Sequence, residues 1–239
     1  MTGSGRREVL EHMWRRFPQH SIILTDPRTR EAVLFAERRA AKYGFLKPVE
    51  VCSWMTLSVY FGGYFDEDAL CPWAEATLQE SAGANRDEVM ARLFSRMNFE
   101  TSTFAGPPYS KALLALLPVP FETLLAEDGD LHESLERSLR NWYPEKAAAL
   151  SQDQWRYLLE ASERKAAVYG LPLPAGAIFC MQCMTILGSE FDRDPLYPDA
   201  IAVMNSDTAE DPVEKLKNAF DCRQGLIRRH LILDRFRTK

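Results

Sequence analysis

The sequence predicts an all-α protein, a multi-helix bundle made of two pseudo-symmetric tandem helical repeats. Three observations carry this. Apolar residues recur at helical rather than alternating spacing along most of the 239 residues. Strand signals are confined to Ser21–Leu24 and Val49–Cys52. The chain also aligns with itself, without a gap, when Glu37 is placed on Glu163, a shift of 126 residues.

Composition sets the outer bounds. Hydrophobic residues make up 46% and charged residues 26%, ordinary for a globular protein with a full core. The formal net charge of −5 gives no general attraction to nucleic acid or an anionic membrane and mildly favours a basic partner. No apolar run follows Met1-Thr2-Gly3-Ser4-Gly5-Arg6-Arg7, so no secretory signal is expected there. The apolar stretches Val51–Phe61 and Ala175–Leu187 are too short to span a bilayer. The expected location is the cytoplasm. Five cysteines, an odd number at low density, read as reduced core or near-core thiols rather than a disulfide scaffold.

The self-alignment pairs Glu37–Leu78 with Glu163–Met204, and 16 of the 42 positions are identical. Average composition gives about two or three by chance. The signature pairs are Tyr43/Tyr169, Gly44/Gly170, Met55/Met181, Gly62/Gly188 and Phe65/Phe191. Matched Gly, Pro and Asp at loop positions are not a by-product of shared amphipathic composition. The expected division is 1–126 for the first unit, with an irregular segment over 99–120, and 127–239 for the second. The two share one compact globule, with the break around Ala126–Asp130.

Each unit reads as three helices. In the first copy Asp26-Pro27 starts a helix, Asp as cap and Pro at N1. In the second, Ser151 with Gln154 forms a capping box. Gly44 and Gly170 stop these helices, because glycine takes the left-handed conformation without strain. Pro48 and Pro174 then open a helix that is apolar nearly all round, which a bundle places at its centre. Gly62 and Gly188 end it, Phe65-Asp66-Glu67-Asp68 and Phe191-Asp192-Arg193-Asp194 follow, and a short helix begins at Pro72 or Pro198. Outside the repeats, helices are expected over Arg7–Phe17, Arg86–Met97, Leu131–Trp142 and Pro212–Phe236, with a turn at Gly106-Pro107-Pro108.

The Phe-Asp-x-Asp loops are the first place to look for chemistry. Neither supplies the further oxygen ligands, central Gly and terminal Glu of a calcium loop. Asp66 and Asp192 accepting loop amides, with Phe65 and Phe191 plugging the core, is the simpler account. Cys180-Met181-Gln182-Cys183 lies inside an apolar helix, unlike a redox CxxC that opens one, and reads as two buried thiols a turn apart. His12, His20, His132 and His230 show no catalytic or ligand spacing, and no HExxH, nucleophile elbow or P-loop is present. No enzyme activity, cofactor or metal is expected.

The pattern Tyr-Gly, a Met-bearing apolar helix, Gly, Phe-Asp-x-Asp and Pro72-Trp73-Ala74 resembles small helical proteins encoded beside effectors in bacterial type VI secretion clusters. Those are taken to be effector immunity proteins or effector-loading accessory proteins. The resemblance covers 42 residues in each half, and the second half has Asp199 where the first has Trp73. The usual form carries one such unit where this chain has two. The resemblance implies a non-enzymatic, cytoplasmic immunity protein that occludes a cognate effector toxin. A basic, nuclease-like domain would suit the acidic balance. The alternatives are an effector-loading chaperone and a helical enzyme. No catalytic residues carry over. The expected docking residues are Tyr64, Asp66, Glu67, Asp68, Trp73, Asp192 and Asp194, aromatic anchors with a charged rim.

Overall fold

The structure, a computed structural model, describes residues 1–80, 85–105, 110–126, 129–206 and 211–235. Among these residues the chain is all-helical, without a strand. The Gly106-Pro107-Pro108 turn and the helix end at Phe236 lie outside the described residues. No described helix is long and apolar enough to cross a membrane.

Helix α1 (Gly3–Arg16) packs on α2 (Pro18–Lys42) and α3 (Pro48–Phe61). Thr25 interrupts α2 at φ 66°, so Asp26-Pro27 restarts an existing helix rather than opening a new one. The two segments with a weak strand signal are helical, as the all-α expectation required: Ser21–Leu24 lies in α2 and Val49–Cys52 in α3. In these segments Leu24 and Val51 are buried while Ile22 and Val49 are exposed, the one-sided burial of a helix face. Helices α4 (Pro72–Gln79) and α5 (Arg86–Glu100) follow. The segment expected to be irregular instead continues α5 into a π-helical turn, Thr101–Ala105, and then α6 (Ser110–Leu116). Helices α7 (Phe121–Leu125), α8 (Leu131–Trp142) and α9 (Pro144–Ala149) lead into the second half.

There α10 (Gln152–Val168) starts at the Ser151–Gln154 capping box, with both reciprocal bonds formed. Helix α11 (Ala175–Leu187), α12 (Pro198–Met204) and the long α13 (Pro212–Arg235) complete the chain. Gly44 at φ 76° and Gly170 at φ 65° close α2 and α10 in the left-handed region. Met55 and Met181 are fully buried at the centres of α3 and α11.

The buried side chains form two clusters. One gathers residues from Val9 to Met97 together with Leu196 and Tyr197 from the far half. The other gathers Ala112 to Ile227 together with Leu70 from the near half. Helices α6 and α7 therefore pack with the second cluster, and the core changes hands between Met97 and Ala112, ahead of the expected 126/127 division.

Candidate functional site

Residues 62–70 and 188–196 meet at the centre of the molecule. Gly62 (φ 89°) and Gly188 (φ 94°) lie back to back. A Cβ on Gly62 would sit 2.5 Å from the Leu187 carbonyl oxygen, and one on Gly188 would sit 2.6 Å from that of Phe61. The aspartates are exchanged crosswise. Asp68 accepts from the Leu70 amide at 2.8 Å and, across the centre, from the Ser189 amide at 2.8 Å. Asp194 accepts from the Leu196 amide at 2.9 Å and, across the centre, from the Gly63 amide at 2.5 Å. Burial pushes the Asp68 carboxyl above its ordinary value and that of Asp194 up to about 7, against the amides that favour the charged form.

The other two aspartates face basic residues of their own half. Arg39 donates to Asp66 at 2.8 Å, and Lys165 donates to Asp192 at 2.6 Å. Tyr169 donates to Asp192 at 2.8 Å. The plugs are in place, with Phe65 and Phe191 buried.

This arrangement corrects the expectation of a docking surface made by the acidic loops. Asp66, Asp68, Asp192 and Asp194 are all buried, since their oxygens satisfy backbone amides or cations that would otherwise be bare. The amides go to the second aspartate of each loop, not to Asp66 and Asp192. The remaining three expected residues are accessible but engaged. The exposed Glu67 carboxylate takes Arg39 at 3.0 Å and Lys42 at 2.9 Å. The Tyr64 ring lies between Arg39 and Arg193, each 4.6 Å from its centroid. The Trp73 ring packs edge-on against Phe61 at 5.1 Å.

The thiols match a reduced core, with Cys52, Cys71, Cys180 and Cys183 buried and all five cysteines free. Among the described residues no group of three or more His, Cys, Asp or Glu side chains is placed to hold a metal ion.

The site that spacing did not announce is a cavity of about 490 Å³ between the two halves. Its floor is apolar and buried: Leu24 from α2, Val59 from α3, Ile186 from α11, Leu196, and Ile227 from α13. Arg16 and Asn98 are exposed and stand at its mouth. The imidazoles of His20 and His230 line it edge to face, their centroids 4.4 Å apart. Phe17 packs edge-on against His20 at 6.3 Å and against Tyr60 at 6.2 Å, which extends the aromatic wall.

Burial, with His230 nearby, holds His20 well below its ordinary value; burial, with Arg229 nearby, lowers His230 to about 4. Both are neutral at pH 7, and each then offers one N–H donor and one acceptor nitrogen. Asp199, also lining the cavity, is shared by Arg28 at 2.7 Å and Arg229 at 3.6 Å.

A cavity of this volume falls in the range of roughly 300–1,000 Å³ typical of binding pockets, and a junction between two cores is a common place for one. His20 and His230 lie at opposite ends of the chain, so no sequence spacing could join them. The one legible sign was the apolar stripe Leu226, Ile227 and Leu231 beside His230 in a helix otherwise rich in charge. Comparison with protein-family models, curated proteins and solved structures finds no match to this chain.

Proposed function

We propose that this chain is a non-enzymatic, cytoplasmic protein-binding protein, and that it receives an apolar group of its partner in the cavity between α2 and α13. The observation that supports this reading is the cavity itself: an apolar floor, the two imidazoles of His20 and His230 lining it, exposed Arg16 and Asn98 at its mouth, and walls drawn from both halves. Apolar anchors filling a dry pocket, ringed by polar groups, supply most of the affinity of protein interfaces. In the same reading the chain is two copies of one helical unit about a pseudo-twofold axis. The crosswise bonds of Asp68 and Asp194 and the facing glycines support that relation.

The role we assign is that of an immunity protein, which binds and occludes a cognate effector toxin of a type VI secretion system. The sequence resemblance supplies that role. A loading chaperone is the second reading. It is favoured by apolar side chains left exposed at two corners, Leu46 and Val49 where α2 gives way to α3 and Val168 and Leu173 where α10 gives way to α11.

Co-expression with the product of the adjacent gene tests the assignment. Rescue of a toxic product at a one-to-one ratio, lost on filling the cavity with Ile23→Trp, is the expected result. Absence of rescue, with secretion lost on deletion of this chain, would move the assignment to the chaperone.

A further inference from the structure

We infer that Arg223, with the Gln182 amide beside it, holds a monatomic anion between α11 and α13, and that in the cell this anion is chloride. The inference does not depend on how the large cavity is used.

Arg223 lies on α13 and is only 3% exposed. A guanidinium does not shed its proton, so a full positive charge stays in the interior. Its Nη1 donates to the side-chain oxygen of Gln182 on α11. Its Nε and Nη2 have no acceptor, and neither does Nε2 of the fully buried Gln182. Turning the Gln182 amide over brings no relief, because a guanidinium has nothing to accept with. Two touching side chains therefore carry three donor nitrogens that need the same thing.

They need a charge as well as an acceptor. Among the described residues no carboxylate pairs with Arg223; the groups that act on its charge are the Cys183 thiol and the Tyr143 phenol. Burial pushes Cys183 up to about 12 and raises Tyr143 above its ordinary value, so both are neutral at pH 7. The guanidinium carbon lies 5.0 Å from the centre of the Phe179 ring and 4.8 Å from that of Phe220. Ring faces attract a cation but bring no net negative charge. Buried cations are ordinarily paired, because an unpaired one is costly.

Volume decides the class of anion. A cavity of about 20 Å³ adjoins Arg223, with Phe179, Cys183, Cys222 and Leu226 among its walls. One water needs about 10–15 Å³, so this space takes a single particle near that size. It excludes phosphate, sulfate and organic carboxylates and admits a halide. A water molecule would also fit, but it leaves the charge unbalanced.

Thermal unfolding of the full-length protein in sodium chloride and in sodium gluconate, at equal concentrations, supplies the test. Gluconate matches the ionic strength and is too large to enter. An anion bound only by the folded chain stabilises it by mass action, so Tm is expected to be higher in chloride, by a margin that grows with concentration. A tenfold gain in the folding constant corresponds to a rise of about 3–6 °C. Bromide is expected to replace chloride, and crystals grown in sodium bromide to show an anomalous peak beside the Arg223 guanidinium.

Gln182→Glu places a carboxylate beside Arg223 without changing the side-chain length. It is expected to melt above the wild type in gluconate and to lose the response to chloride. Arg223→Met removes the cation and is expected to lose the response as well; should it fail to fold, Gln182→Glu decides alone. Equal melting of the wild type in chloride and gluconate at every concentration overturns the inference. A chloride response that survives intact in Gln182→Glu overturns it too, since the ion then binds elsewhere.

Discussion

Replacing Gly62 with alanine is the sharpest test of the central contact. Two costs add. At φ 89° and ψ 154° the residue occupies a region reserved almost wholly for glycine, where a side chain costs about 1–3 kcal/mol. The new Cβ would also lie 2.5 Å from the Leu187 carbonyl oxygen, whereas real Cβ contacts essentially never fall below 3.0 Å. The two helix ends must therefore part by at least 0.5 Å, the difference of those values. Overpacking of this kind costs about 1–3 kcal/mol more.

The total is roughly 2–6 kcal/mol, and a domain of this size loses about 2–4 °C of Tm per kcal/mol. Gly170 is the internal control. Its φ is 65° but nothing lies within 4 Å of a Cβ there, so Gly170→Ala bears only the left-handed strain of about 1–2 kcal/mol. Urea unfolding followed by circular dichroism, with thermal melts alongside, measures all three proteins. Gly62→Ala no more destabilising than Gly170→Ala would refute the back-to-back contact.

Three further outcomes follow from the buried charges. Asp194 holds its proton up to about pH 7 when folded, well above the ordinary 3.8, so its contribution to stability is complete below pH 3.8 and is lost as pH rises towards 7. Urea midpoints of wild type and Asp194→Asn from pH 4 to 8 should therefore shift relative to each other in favour of Asn as pH rises, by up to about 1.4 kcal/mol per unit. The histidines run oppositely. The unfolded chain takes protons near pH 6.5 and folded His230 only near 4, so stability is present above 6.5 and falls as pH drops towards 4. His230→Phe should flatten that acid limb in the same titration. Lastly, Arg39→Ala should cost about 3–5 kcal/mol by stranding the buried Asp66 charge. Lys165→Ala should cost less, because Lys165 and Asp192 keep more contact with solvent than the Arg39–Asp66 pair. Equal losses in denaturant melts would count against the burial argument.

Much of the helical framework could be read from residues whose preference is local. Ser151 and Gln154 specify a capping box within four residues, and Gly44 and Gly170 mark helix stops by backbone freedom alone. The all-apolar Met55 and Met181 helices declared their burial through composition. One misreading arose where local preference conflicts with packing. The 99–120 segment reads as irregular because of Gly106-Pro107-Pro108, yet its described part includes a π-helical turn over Thr101–Ala105 and the helix Ser110–Leu116.

The acidic loops misled for a different reason. A carboxylate in a loop is usually solvated, and only the long-range approach of residues 62–63 to 188–194 shows that each second aspartate has an amide waiting. The cavity was illegible because its walls come from seven separate segments and its imidazoles from the two ends of the chain.

The crosswise aspartates also bear on how the chain is made. Gly63 is synthesised 131 residues before the carboxylate that its amide requires. At translation speeds of about 5–20 residues per second, that is a wait of roughly 7–26 s on the ribosome. During this interval the joint at the end of α3 is unfinished: the Gly63 amide and the end of α3 that meets α11 lack their partners, although α1, α2 and α5 cover the rest of α3. The first half is therefore exposed to chaperones and proteases until Asp194 emerges, and its lifetime as a nascent fragment is set by the synthesis of the second.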